Sequence, residues 1–146
     1  MIKAAIALGT TLLLLAFGPV RAEDEDREAV ERAVLDYVEA FYEMNPELLE
    51  RSVHADLAKF GFWRRPGDEE YRGSPMSFEQ AVTVAKTWNR DGRAGDDAPK
   101  KVEVFDVLDQ TAAAKLTALW GVDYMHLAKF EGEWKILQVL WQSPPE

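Results

Sequence analysis

The chain contains no cysteine, only two histidines, and few basic residues: 17 Lys and Arg stand against 26 Asp and Glu in 146 residues, a formal charge of −9. Without thiols there are no disulfides, no thiolate nucleophile and no thiolate metal site. His54 and His126 are far apart, and no carboxylates cluster around either at ligand spacing. A metal centre is therefore not expected, and no cofactor is assigned. The acidic excess repels phosphate backbones and anionic headgroups, which argues against nucleic-acid and membrane-surface partners. A glycine-rich phosphate loop, a nucleophile elbow and internal repeats are all lacking.

Long apolar runs are lacking too, with one exception at the start. Met1-Ile2-Lys3 carries a single positive charge, Ala4 to Val20 is an uncharged run of 17 residues, and Val20-Arg21-Ala22 offers small residues at two alternate positions. This is the pattern of a secretory signal peptide, with cleavage expected after Ala22. A membrane anchor is the competing reading, but the run sits at the short limit for a span and Gly18-Pro19 interrupts it. Cleavage removes Lys3 and Arg21 and no acid, leaving residues 23–146 as one domain of net charge −11. Its expected destination is the periplasm or the medium, free of the membrane. A domain of this size buries roughly two thirds of its unfolded surface, enough to stand without disulfides.

Within that domain, Glu23 to Arg27 reads as a charged run that frays. Val30, Val34, Tyr37, Val38 and Phe41 then recur at helical spacing. Asn45-Pro46 stops that helix and caps a short second one to about Val53. Leu57 to Trp63 reads as a strand, and Arg64 to Pro75 as a loop or irregular hairpin. Ser77-Phe78-Glu79-Gln80 is a capping box opening a third helix to about Asn89. Lys101 to Leu108 and the long run Thr111 to Phe130, bent at Gly121, read as sheet. Glu131-Gly132 is a tight hairpin turn before a last strand, Glu133 to Gln142. Helices first and antiparallel strands last give an α+β fold.

A two-residue turn at Glu131-Gly132 pairs Tyr124 with Val139 and Val122 with Trp141. Alternation then puts Trp120, Tyr124 and His126 on one face with Leu137, Val139 and Trp141. Asp123, Met125 and Leu127 take the other face with Trp134, Ile136 and Gln138. Both faces are apolar, whereas a sheet in a small monomer normally has one wet side. Three short helices cover one face, so the other is expected to meet a second copy, giving a homodimer through the sheet.

The helix Val30 to Tyr42, the segment Val53 to Lys59, Met76-Ser77, and above all Trp120 to Lys129 followed by Trp134-Lys135-Ile136 and Val139-Leu140-Trp141 resemble the nuclear transport factor 2-like superfamily. Within it they look most like the bacterial "putative lumazine-binding" branch. The resemblance implies a cone of curved antiparallel sheet closed by N-terminal helices, a cystatin-like α+β architecture. It also implies a bound pteridine-like ring. Enzymes of the superfamily, ketosteroid isomerase and scytalone dehydratase among them, work inside the cone with a carboxylate or histidine base beside hydrogen-bond donors.

The candidates for such chemistry are Asp123 and His126 as bases, and Tyr37, Trp120, Tyr124, His126 and Trp141 as ligand-binding residues. Each has a plainer reading. His126 can be a core or interface histidine held by a carbonyl, Asp123 a carboxylate paired with a cation, and Tyr37 simple packing on its helix. His54 and Asp56 fit a turn after the second helix, and Trp88, Trp134 and Trp141 each fall within an apolar period. The favoured expectation is non-catalytic binding of a small, flat or hydrophobic molecule in the cone pocket. The alternatives are an isomerase or dehydratase using a pocket Asp or His, and a protein-interaction module whose cavity its own side chains fill.

Overall fold

The computed structural model describes residues 20–145, with side chains from residue 22. Helices α1 (Val20–Tyr42) and α2 (Pro46–Ser52) lead into β1 (Val53–Trp63) and β2 (Arg72–Met76). Helix α3 (Phe78–Ala85) follows, then β3 (Lys100–Val107), β4 (Thr111–Ala118), β5 (Gly121–Phe130) and β6 (Glu133–Gln142). The strands form one curved, open six-stranded sheet in the order β2-β1-β6-β5-β4-β3. All neighbours are antiparallel except β1 and β6, which run parallel, so the sheet is mixed where the sequence suggested a purely antiparallel one.

The expected stripe on α1 is the core: Val30, Val34, Tyr37 and Val38 are fully buried and Phe41 nearly so, against Leu116, Met125, Leu127 and Ile136 of the sheet. Asn45 accepts a hydrogen bond from the Glu47 backbone N–H with Pro46 at the first helical position. Ser77 and Gln80 close the capping box in both directions, an arrangement contributing about 1 kcal/mol to its helix.

Several expectations change. Residues 23–27 do not fray, because α1 is continuous from Val20. Asp26 accepts hydrogen bonds from Lys129 Nζ (2.7 Å) and Trp134 Nε1 (2.9 Å), pinning the helix start to the β5–β6 hairpin. The expected cleavage point after Ala22 thus falls in the first turn of α1, and the apolar run before it lies outside the described residues. Within Arg64 to Pro75, read as a loop or irregular hairpin, the hairpin is the one present: residues 72–76 form the edge strand β2, antiparallel to β1. The third helix ends at Ala85 and turns carry the chain onward. The run Thr111 to Phe130 is two strands: the chain reverses at Leu119-Trp120, and Ala118 pairs with Gly121. Gly121 has φ +133°, and a Cβ there would run into the Gln142 carbonyl, so only glycine closes this turn.

The last hairpin begins in the expected register, with Phe130 opposite Glu133. At Leu137, however, one extra residue enters β6: Leu127 pairs with Ile136 but His126 pairs with Gln138. This is a β-bulge, and beyond it the alternation of β6 is inverted. The face assignment from sequence is therefore corrected. Val139 and Trp141 join Trp134 and Ile136 on the helix-covered face with Asp123 and Met125, while Gln138 and Leu140 move outward with His126 and Tyr124.

Candidate functional site

Correcting the register brings together residues that the sequence had put on opposite faces. Asp123 on β5 is fully buried, and its cross-strand partner is Trp141 on β6. Tyr37 descends from α1, and Trp120 reaches in from the β4–β5 turn to donate its indole N–H to Asp123 Oδ2 at 2.5 Å. That turn is held by Tyr42, whose hydroxyl accepts from the Leu119 N–H (2.8 Å) and donates to the Pro99 carbonyl (2.6 Å). Trp120 meets Phe41 and Trp88 edge to face, each at 5.3 Å between centroids. Trp141 lies directly over Gly61, where any Cβ would fall inside the indole.

Lys59 completes the group, and the sequence had not singled it out. It sits on β1 at the same face as buried Leu57 and is 8% exposed, with its ammonium donating to the Tyr37 hydroxyl. The rings of Tyr37, Phe41 and Trp141 surround Nζ at 5.1, 5.7 and 5.8 Å. Among the described residues no carboxylate comes within ion-pair distance of it, and the buried Asp123 Oδ1 accepts no hydrogen bond. Leaving a buried acceptor unpaired costs about 1–3 kcal/mol.

Burial dominates the electrostatics. It depresses the proton affinity of Lys59, an effect that the Asp123 charge partly opposes. It raises that of Asp123, against the opposing pull of Lys59, the Trp120 hydrogen bond and Tyr37. It also carries the Tyr37 hydroxyl well above the usual phenol range, with Asp123 adding to the rise. The surrounding rings favour the lysine cation by about 2 kcal/mol at best. Withdrawing an ammonium from water costs several kcal/mol even after relaxation, so desolvation wins.

Phe41, Lys59, Val84, Trp88, Trp120 and Trp141 line a cavity of about 90 Å³, and Met76 borders it. Asp123 lies behind this wall rather than on it. An apolar cavity of about 150 Å³ admits benzene, so the present one admits three or four non-hydrogen atoms unless the α3 side chains move.

The other candidates lie elsewhere. Tyr124 and His126 face outward, away from Tyr37, Trp120 and Trp141, and border a groove of about 730 Å³ with Phe60, Gln138 and Leu140. His126 Nδ1 is 3.0 Å from Gln138 Oε1. His54 accepts the Asp56 N–H and stacks on Phe130 at 4.2 Å, and His54 and Asp56 both lie within β1 rather than in the turn expected after α2. Among the described residues no three His, Asp or Glu side chains gather where a metal could be held, and no helix is long and apolar enough to cross a membrane.

Comparison with known proteins bears on this geometry. Residues 25–142 match the model of a family described as "Putative lumazine-binding". No curated protein matches. An NTF2-like protein of unknown function from Silicibacter pomeroyi superposes with a TM-score of 0.63 at 16% identity, covering 83% of this chain and 98% of its own. A second, from Shewanella baltica, gives 0.64 at 14%, covering 84% and 97%. A protein titled "Putative Scytalone Dehydratase", from Novosphingobium aromaticivorans, gives 0.59 at 14%, covering 86% and 89%. At these identities the likeness establishes the fold and leaves function to the site.

Proposed function

The chain belongs to the "Putative lumazine-binding" family of the NTF2-like fold, and from that premise we propose that it binds a small hydrophobic molecule bearing one hydrogen-bond acceptor in the cone cavity. The observation that carries this reading is Lys59. A cation buried among three rings, with no carboxylate at ion-pair distance among the described residues, lines an apolar cavity and can donate to whatever enters. Apolar walls with one or two placed polar groups are how small-molecule sites orient a ligand. The cavity volume limits the occupant to a few atoms, smaller than a pteridine ring system, unless Trp88 and Met76 swing aside. A screen of small neutral ketones and amides, read by backbone and indole N–H NMR shifts, tests this. Perturbations centred on Lys59 and the Trp120 and Trp141 indoles support it. Perturbations confined to Tyr124, His126 and Leu140 refute it.

A second reading, proton abstraction next to a carbonyl, draws on Asp123, whose buried carboxyl holds its proton more tightly than usual, and on the likeness to the protein titled a scytalone dehydratase. In this reading Asp123 is the base once Trp120 or Trp141 moves aside to uncover it, and His126, on the other side of the sheet, is not. Turnover lost in Asp123→Asn with folding intact is the result it requires.

We also propose that two copies pair through the outer face of the sheet and that the protein is exported. On that face Ala58, Phe60 and Phe62 of β1, Gln138, Leu140 and Gln142 of β6, and Val122, Tyr124 and His126 of β5 form a patch without an acid, while β3 brings Glu103 and Asp106 to its far side. In so acidic a chain that patch is where two copies meet with least repulsion. Export predicts a protein beginning at Glu23 when N-terminally sequenced from the periplasm or medium.

A further inference from the structure

Lys59 differs from the other cations whose contacts are described. Lys129 pairs with Asp26, Lys100 with Glu39 and Lys115 with Glu103, each at the surface or half-buried. Lys59 has no such partner among the described residues, and its Nζ stands by the rings of Phe41 and Trp141, which with Lys59 itself line a cavity the size of a three- or four-atom molecule. Beside it stands a chain of proton acceptors: the Tyr37 hydroxyl, which takes a hydrogen bond from Nζ, and the buried Asp123 carboxylate with one oxygen unused. An amine so enclosed has the surroundings of a nucleophile rather than of a structural cation.

We propose that Lys59 captures a small aldehyde or ketone in the cone cavity by condensing with it to form an imine. This rests on the reading of the cavity as a small-molecule site and deepens it. The ammonium first passes one proton, by way of the Tyr37 hydroxyl that Nζ touches, to Asp123, leaving both groups neutral, as their burial favours. The Nζ lone pair then attacks the carbonyl carbon, the C=O π electrons move to oxygen, and a proton passes from nitrogen to that oxygen, giving a carbinolamine. The hydroxyl and the remaining N–H proton then leave together as water, which leaves the C=N bond, and Asp123, behind the wall, keeps the proton it took from the ammonium. Carbonyl compound and amine give imine and water, with no oxidant or reductant. Tyr37 is a positioning residue, holding Nζ at the cavity wall.

The test uses the whole protein, propanal and cyanoborohydride near neutral pH, followed by peptide mapping of every lysine over time. Lys101, 70% exposed on its side chain, is the internal reference. The proposal predicts that Lys59 gains a propyl group at least about tenfold faster than Lys101, because the cavity holds the aldehyde beside its amine. Tryptophan emission is titrated in parallel with propanal and with 1-propanol, which fits the cavity but cannot condense. If both shift the emission while Lys59 reacts no faster than Lys101, the imine is overturned and the binding site stands. If neither shifts the emission and Lys59 is inert, both are overturned. Because the reading comes from wild-type protein, a Lys59→Met variant that fails to fold does not blunt it.

Discussion

At the scale of single residues, the site depends on tolerances that sequence pattern does not display. Gly61 leaves room for Trp141, so Gly61→Ala forces the indole out of the cavity wall. The expected outcome is a loss of about 1–3 kcal/mol in chemical denaturation together with a changed tryptophan emission. Asp123 gives a pH prediction whose sign follows from burial. Its proton affinity is higher folded than unfolded, so its favourable contribution is full below the ordinary carboxylate range and disappears as pH rises through the folded value. Urea titrations from pH 4 to 8 should show wild type losing stability relative to Asp123→Asn as pH increases; parallel curves contradict the assignment. The Lys59 contribution runs the other way, being present above the ordinary lysine range and lost as pH falls through its lowered value. Tyr37, Trp120, Asp123 and Trp141 were all visible as candidates in the sequence. Lys59 was not, because Phe60 and Phe62 make the opposite face of β1 look like the buried one. Leu57-x-Lys59-x-Gly61 carried the only contrary signal.

At the scale of elements, helix boundaries were read best where side chains close the caps, as at Asn45-Pro46 and Ser77 to Gln80. The strands were read less well. A bulge at Leu137 inverts every later side chain of β6, and alternation cannot reveal it when Val139, Leu140 and Trp141 are all apolar. The same ambiguity concealed the reversal at Leu119-Trp120, where Ala118, Leu119, Trp120 and Val122 around Gly121 are all apolar. Charge misled at the start of α1, where Asp26 is not fraying but bound to the final hairpin. Its hydrogen bonds to Lys129 and Trp134 hold its carboxyl below the usual range. The resulting stabilisation is present above the unfolded value and is lost as pH falls through the lowered one. Asp26→Ala should therefore cost about 1 kcal/mol at pH 7, and less at pH 3, in thermal melts. It should also increase amide exchange in the first turns of α1.

At the scale of the whole molecule, the helices roof one side of the sheet and leave the other open. Phe60, Phe62, Tyr124 and Leu140 are 39%, 42%, 54% and 51% exposed in the single chain, and exposure of this extent in one apolar patch is what a partner removes. Sedimentation equilibrium at micromolar concentration should find a dimer for wild type and a monomer for Leu140→Arg, with the cavity residues' NMR shifts unchanged; a wild-type monomer contradicts the pairing. The cone itself was legible from element order and the final hairpin, but which face holds the pocket required the bulge to be seen. The most direct measurement is a crystal structure with acetone soaked in. The account predicts the ketone among Trp88, Trp120 and Trp141 with its carbonyl at Lys59 Nζ, and it is contradicted if the ketone settles only in the outer groove between Phe60 and Tyr124 while the cone cavity stays as it was.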